Sequence, residues 1–151
     1  MRNRIPAAIW VAAASLLAAI VALALLTAQA TQGPGWAQII FAALVGALVL
    51  GGILGRRRLA WLWGHYLSLL LALLQAATFG TALYQGVAFP LWVILLLGGI
   101  VVALLLAWFA LGRRSSLEYF ALICPACGTP SRMGADFLFR HARCRKCGNV
   151  W

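Results

Sequence analysis

Four cysteines carry the clearest chemistry in this chain. They stand as Cys124-Pro125-Ala126-Cys127-Gly128 and Cys144-Arg145-Lys146-Cys147-Gly148, a C-x2-C-x16-C-x2-C pattern whose spacing is that of a metal site. Two residues between sulfurs let one tight turn aim both at a single ion. The glycine after each pair accepts the positive φ that turns backbone N–H groups toward the sulfurs. Four thiolates at about 2.3 Å satisfy a tetrahedral Zn²⁺ and leave no open position, the structural rather than the catalytic arrangement. Tetrahedral S₄ also suits iron, and a rubredoxin-like site would use the same two knuckles. Disulfides belong to oxidising compartments, and a thioredoxin-type motif needs one CxxC in a βαβ setting. His141 stands near the second knuckle but is surplus to a complete Cys₄ set.

With these residues the tail, about 119–151, resembles the zinc ribbon family, in which two such knuckles are carried on short antiparallel strands. The resemblance implies a small β-type module whose bound ion is Zn²⁺, held by Cys124, Cys127, Cys144 and Cys147. Tyr119 to Ile123 would enter the first knuckle as a strand. Asp136 to Arg143 alternates, with Phe137 and Phe139 on one face and Leu138, Arg140 and Ala142 on the other, a strand pattern. Val150 and Trp151 would start a third strand. Ser115 to Glu118 matches a capping box and predicts a short helix before the first knuckle. Some 35 residues cannot bury an adequate apolar core, so the metal must supply much of the folding free energy and the metal-free tail should be disordered.

The rest of the chain decides where this module sits. Of 151 residues 65% are hydrophobic and 9% charged, against about 45–50% and about 25% in soluble proteins. Such a chain lacks the polar surface of a soluble monomer and reads as a membrane protein. No Asp, Glu, Lys or Arg occurs from Ile5 to Gly55 or from Leu59 to Gly112. Each uncharged run is long enough for two spans of about 20 residues. Each is also broken centrally, by Thr31-Gln32-Gly33-Pro34-Gly35 and by Tyr84-Gln85-Gly86-Val87-Ala88-Phe89-Pro90, where Gly and Pro mark turns. The expected architecture is all-α membrane, a four-helix transmembrane domain over 1–114 with spans at about 5–29, 36–55, 59–83 and 89–112, followed by a cytoplasmic zinc ribbon over 115–151.

Charge orients the spans. Arg2 and Arg4, then Arg56, Arg57 and Arg58, then Arg113 and Arg114 all fall on one side, while both central loops are uncharged. The positive-inside rule puts that side, both termini and the tail in the cytoplasm of a multi-pass inner or plasma membrane protein. Trp61, Trp63, Tyr66, Trp108 and Phe109 would lie near the inner interface, and Trp36, Tyr84 and Trp92 near the outer one. Ala28-Gln29-Ala30 resembles a signal-peptide cleavage site, but Ile5 to Leu26 is 22 residues long, beyond the usual h-region of about 7–15.

Small residues recur every fourth position: Ala43, Ala47, Gly51 and Gly55 in the second helix, Ala60, Gly64, Ser68, Ala72, Ala76 and Gly80 in the third, Gly99, Ala103 and Ala107 in the fourth. Such stripes let helices approach closely in lipid. A four-residue step drifts about 40° on a helix, so three or four members at most can face one neighbour, and the third helix should touch more than one partner. Leu54-Gly55-Arg56-Arg57 and Leu111-Gly112-Arg113-Arg114 end the two hairpins alike, as a duplicated two-helix unit would.

Intramembrane polar residues gather on the third helix: His65, Tyr66, Ser68, Gln75, Thr78 and Thr81. His65 is expected to reach headgroups and Gln75 to hydrogen-bond another helix. No carboxylate lies in any span, and no nucleophile with a base, carboxylate pair or phosphate loop is visible, so the chain does not read as an enzyme. From Arg113 onward seven cations face two acids, a basic surface for anionic headgroups of the inner leaflet or for a partner. The leading expectation is a membrane protein whose ribbon docks a cytoplasmic protein or a nucleic acid. The alternatives are a small homo-oligomeric transporter or pore using His65 and Gln75, and a rubredoxin-like iron electron carrier.

Overall fold

The computed structural model describes residues 5–30, 36–132, 134–136 and 139–151; the side chains of 27–30, 36–39, 41 and 42 lie outside the description. Arg2, Arg4, the Thr31–Gly35 loop, Phe137, Leu138 and the ring of Trp36 therefore lie outside the described residues. The chain is mostly helical. Four long helices form where the apolar runs stand, α1 (Ala7–Ala30), α2 (Trp36–Leu54), α3 (Arg58–Tyr84) and α4 (Leu91–Gly112), and a short α5 (Arg114–Tyr119) follows. Three stretches, Ala7–Leu26, Arg58–Tyr84 and Leu91–Gly112, are long and apolar enough to cross a membrane; the described apolar part of α2 is Ala43–Leu54.

Each long helix packs against two others. α1 lies against α2 and α4, and α3 lies against α2 and α4, so the four close into a ring in chain order. α3 thus has the two partners that its drifting stripe requires. Gly64, Ser68 and Ala72 are buried, whereas Ala76 and Gly80, further along the same stripe, are exposed.

The stripe expected on α2 behaves differently. Ala43, Ala47, Gly51 and Gly55 are all exposed, and a Cβ on Gly51 would meet nothing within 4 Å. The close approach is one residue along, at Gly52, where a Cβ would collide with the Ala60 Cβ of α3. The four-residue spacing points to Gly51, between Ala47 and Gly55, and passes over Gly52, between Leu48 and Arg56, because repetition along one helix does not say which face the neighbouring helix meets. Gly52→Ala is accordingly expected to destabilise by about 1–3 kcal/mol through overpacking, while Gly51→Ala leaves stability unchanged or slightly raised. Thermal unfolding of the detergent-solubilised variants measures both, and equal midpoints would refute the assignment.

The helix ends explain how the chain turns without a long loop. At the end of α2, Arg56 adopts φ 56°, with Arg56 N–H donating to Ile53 O and Arg57 N–H to Gly52 O. At the end of α5, Ala121 adopts φ 52°, with Ala121 N–H donating to Glu118 O and Leu122 N–H to Leu117 O. Both are Schellman closures with a non-glycine residue in the left-handed position. The expected short helix before the knuckle is present, but not its capping box. Ser115 lies inside α5, whose N-cap is Arg113 without a side-chain cap; Glu118 instead pairs with Arg114 at 3.2 Å.

No strand forms among the described residues of the tail. Three isolated antiparallel bridges, Ile123 with Pro130, Gly134 with Ala142 and Arg143 with Val150, take the place of the expected strands, and the strand expected from Tyr119 to Ile123 is replaced by the end of α5 and its left-handed turn at Ala121. The tail also shares a core with the helices: Ile9, Ile53, Trp61 and Leu111 pack in one cluster with Leu117, Phe120, Leu122, Phe139 and Ala142.

Candidate metal centre

Each cysteine pair sits in the same backbone turn, and the two turns repeat bond for bond. In the first, Gly128 N–H donates to Cys124 O at 2.9 Å and Cys124 N–H to Thr129 O at 3.0 Å. In the second, Gly148 N–H donates to Cys144 O at 3.0 Å and Cys144 N–H to Asn149 O at 2.8 Å. Gly128 and Gly148 have φ of 66° and 73°, the left-handed region in which glycine carries no Cβ penalty. The bridges Ile123–Pro130 and Arg143–Val150 close the bases of the two turns at equivalent positions. Further out, Ser131 N–H donates to Leu122 O as Trp151 N–H does to Ala142 O.

Two like turns facing each other bring the four sulfurs together. All four Sγ atoms lie within 4.8 Å of one another. Cys124 to Cys147 is 3.6 Å, Cys127 to Cys144 is 3.5 Å and Cys127 to Cys147 is 3.7 Å. A tetrahedron of sulfurs around an ion at about 2.3 Å has edges of about 3.8 Å. A disulfide would require about 2.05 Å, and all four cysteines are free. The donor set and its edges therefore fit a four-coordinate ion, and the four cysteines can bind a metal. His141 is not among them; its ring nitrogen is turned to the Asp136 carboxylate at 3.5 Å, and Asp136 also accepts the N–H groups of Arg140 and His141.

The thiols themselves ask for a cation. The Thr129 hydroxyl, 3.4 Å from Cys127 Sγ, and the Thr129 N–H hold Cys127 down to about 6. Cys147 receives the Asn149 N–H, which alone favours its thiolate, yet desolvation and the three neighbouring sulfurs push it up to about 12. One negative sulfur in the cluster opposes the next, and only a bound cation lets all four ionise together.

The centre is anchored to the helices by residues whose role spacing did not reveal. Arg58, the first residue of α3, donates to four main-chain oxygens of the tail: Phe120 at 3.3 Å, Ala121 at 3.1 Å, Arg140 at 2.9 Å and Trp151 at 3.0 Å. Trp151 Nε1–H donates to Ala121 O at 2.8 Å, and the Tyr119 hydroxyl donates to Leu54 O at 2.8 Å. The Arg56 guanidinium lies 4.7 Å over the Tyr119 ring. Read from charge alone, the three arginines 56–58 only orient the spans. The one available hint was numerical, since two acids cannot pair twelve cations and the remainder must meet other acceptors.

Two aromatic side chains expected near the inner interface turn inward. Trp61 is fully buried, its Nε1–H donates to Leu111 O at 3.0 Å, and its ring meets Phe139 of the tail. His65 is held among protein rings. It is 2% exposed and stacks between Trp61 and Trp108, with Nδ1–H donating to Trp108 O at 3.1 Å. A tail seated on the bundle covers both, which no linear pattern encodes. Gln75 is half-buried, and no hydrogen bond joins it to another helix among the described residues. Thr78 and Thr81 donate back to Gln75 O and Thr78 O of their own helix, as Ser68 does to His65 O.

Comparison of the chain with protein-family models, with curated proteins and with solved structures gave no match. The functional reading therefore stands on the geometry.

Proposed function

We propose that this chain is a four-span, non-enzymatic membrane protein with a cytoplasmic zinc ribbon, and that the ribbon is a docking module for a cytoplasmic protein. The observation that carries the reading is the cluster of four sulfurs: all four vertices of the tetrahedron are protein ligands, so the ion holds structure and has no position left for a substrate. α2, at 19 residues, spans about 28 Å and crosses with the other three helices. The arginines at 56–58 and 113–114 mark the cytoplasmic face. Zn²⁺ is the metal that suits a closed tetrahedral thiolate site with no redox demand.

Docking is favoured over transport by where the polar groups go. The hydroxyls of Ser68, Thr78 and Thr81 are spent on their own helix. The cations of the tail face outward instead: Arg140, Arg143 and Lys146 are exposed and surround the closed centre.

Metal analysis of the detergent-purified full chain tests the first part, with one Zn²⁺ per chain expected. Stoichiometric iron with a visible thiolate-to-iron absorption would move the protein to the electron-carrier class. Deletion of residues 115–151 tests the second. The truncated chain is expected to lose the partner captured by cross-linking the full-length protein in membranes, and an unchanged cross-linking pattern would refute docking.

A further inference from the structure

We propose that the seam between α4 and the tail binds the phosphate of an anionic lipid headgroup. A cavity of about 260 Å³ opens there, lined by His65, Trp108, Phe109, Gly112, Arg113 and Arg132. Two of these are cations from different parts of the fold, one at the end of α4 and one between the two knuckles.

Neither is paired with an acidic side chain among the described residues. The protein has two acids in all, and both are engaged elsewhere, Glu118 with Arg114 and Asp136 with the 140–141 backbone and His141. The Arg113 guanidinium lies 5.0 Å over the Phe109 ring, which holds it beside the cavity without neutralising it. Two arginines lining one concave, partly aromatic site make a receptor for a phosphate oxyanion.

The surface leading to the cavity specifies a lipid rather than a soluble phosphate. Val102, Leu105, Leu106 and Phe109 are exposed on α4 at spacings of three and four, so they line one face of the helix. The track from Val102 to Arg113 rises about 16 Å, roughly half of a hydrocarbon core of about 30 Å. An acyl chain laid along it stays within one leaflet and delivers its headgroup to Arg113 and Arg132. The inference rests on the reading above that α4 crosses a bilayer with Arg113 at headgroup level.

The test uses the full-length protein in nanodiscs containing phosphatidylcholine with a minority of phosphatidylglycerol, with retained lipid counted by native mass spectrometry. The wild type is expected to retain phosphatidylglycerol preferentially. Arg113→Gln and Arg132→Gln are each expected to lower that preference about fivefold, while Lys146→Gln, which removes the same charge at the second knuckle, leaves it unchanged. Metal content of each variant reports separately whether the tail is folded, and resistance of the protein to alkaline extraction from membranes reports whether the helices span. An equal fall in all three variants would reduce the effect to general attraction and overturn the site. Displacement of the lipid by millimolar inorganic phosphate would assign the cavity to a soluble anion and overturn the lipid reading.

Discussion

Arg58→Met is expected to release the tail from the helices. The guanidinium makes four hydrogen bonds to carbonyls that come from three separate places, the end of α5 at Phe120 and Ala121, the turn at Arg140 and the residue Trp151. Hydrogen bonds from a charged donor contribute about 1.5–3 kcal/mol each, but such bonds are not additive and part of this set is exposed, so the loss is put at about 3 kcal/mol. That figure corresponds to roughly a hundredfold larger population of undocked tail. Limited trypsin digestion reads it directly, because Arg132, Arg140, Arg143, Arg145 and Lys146 all lie in the tail. Arg58→Lys should fall between the two, since a point charge with three donors cannot reproduce a planar fork that reaches carbonyls on several sides. Cleavage of Arg58→Met at the wild-type rate would show that the shared core alone seats the tail.

Removal of the metal is expected to have the larger effect and to be confined to the knuckles. Binding at a four-thiolate site contributes on the order of 10 kcal/mol to folding at neutral pH. Chelation, or Cys144→Ser, should therefore open residues 124–150 to hydrogen exchange. The segment Ser116–Leu122 should remain protected, because Ser116 Oγ–H donates to Ala110 O at 2.7 Å and Leu117, Phe120 and Leu122 are buried against Trp61 and Ile9. The disorder expected for the whole metal-free tail is thus narrowed to its metal-bearing part. Collapse of protection through 116–122 would contradict this division.

Acid should release the metal, and the sign follows from the thiols. Cys147, raised to about 12, is protonated at neutral pH and must lose its proton to bind. Protons therefore compete with the ion, and affinity falls as pH falls. Titration of metal affinity between about pH 5 and 8 measures the slope, and an affinity that does not fall with pH would refute ligation by thiols that must ionise to bind.

The residues that could be read in order along the chain were those whose constraints are local. Two residues between sulfurs and a glycine after each pair specify a knuckle whatever surrounds it, and both knuckles formed with Gly128 and Gly148 at positive φ. Uncharged runs broken by Gly and Pro specify helices by length and composition alone, and helices stand there. Even the drift of the α3 stripe was legible, because it follows from 3.6 residues per turn.

What required the tertiary structure were choices among equivalent residues. The small-residue stripe includes Gly51 and not Gly52, yet only Gly52 meets Ala60. Arg56, Arg57 and Arg58 carry the same charge, yet only Arg58 stands where four carbonyls converge. Trp61 and Trp63 are both plausible interfacial residues, yet Trp61 is buried under the tail and Trp63 is exposed. In each case the deciding quantity is the direction of one side chain relative to a segment more than fifty residues away or on the next helix. Such directions are set by packing, and neither composition nor periodicity contains them.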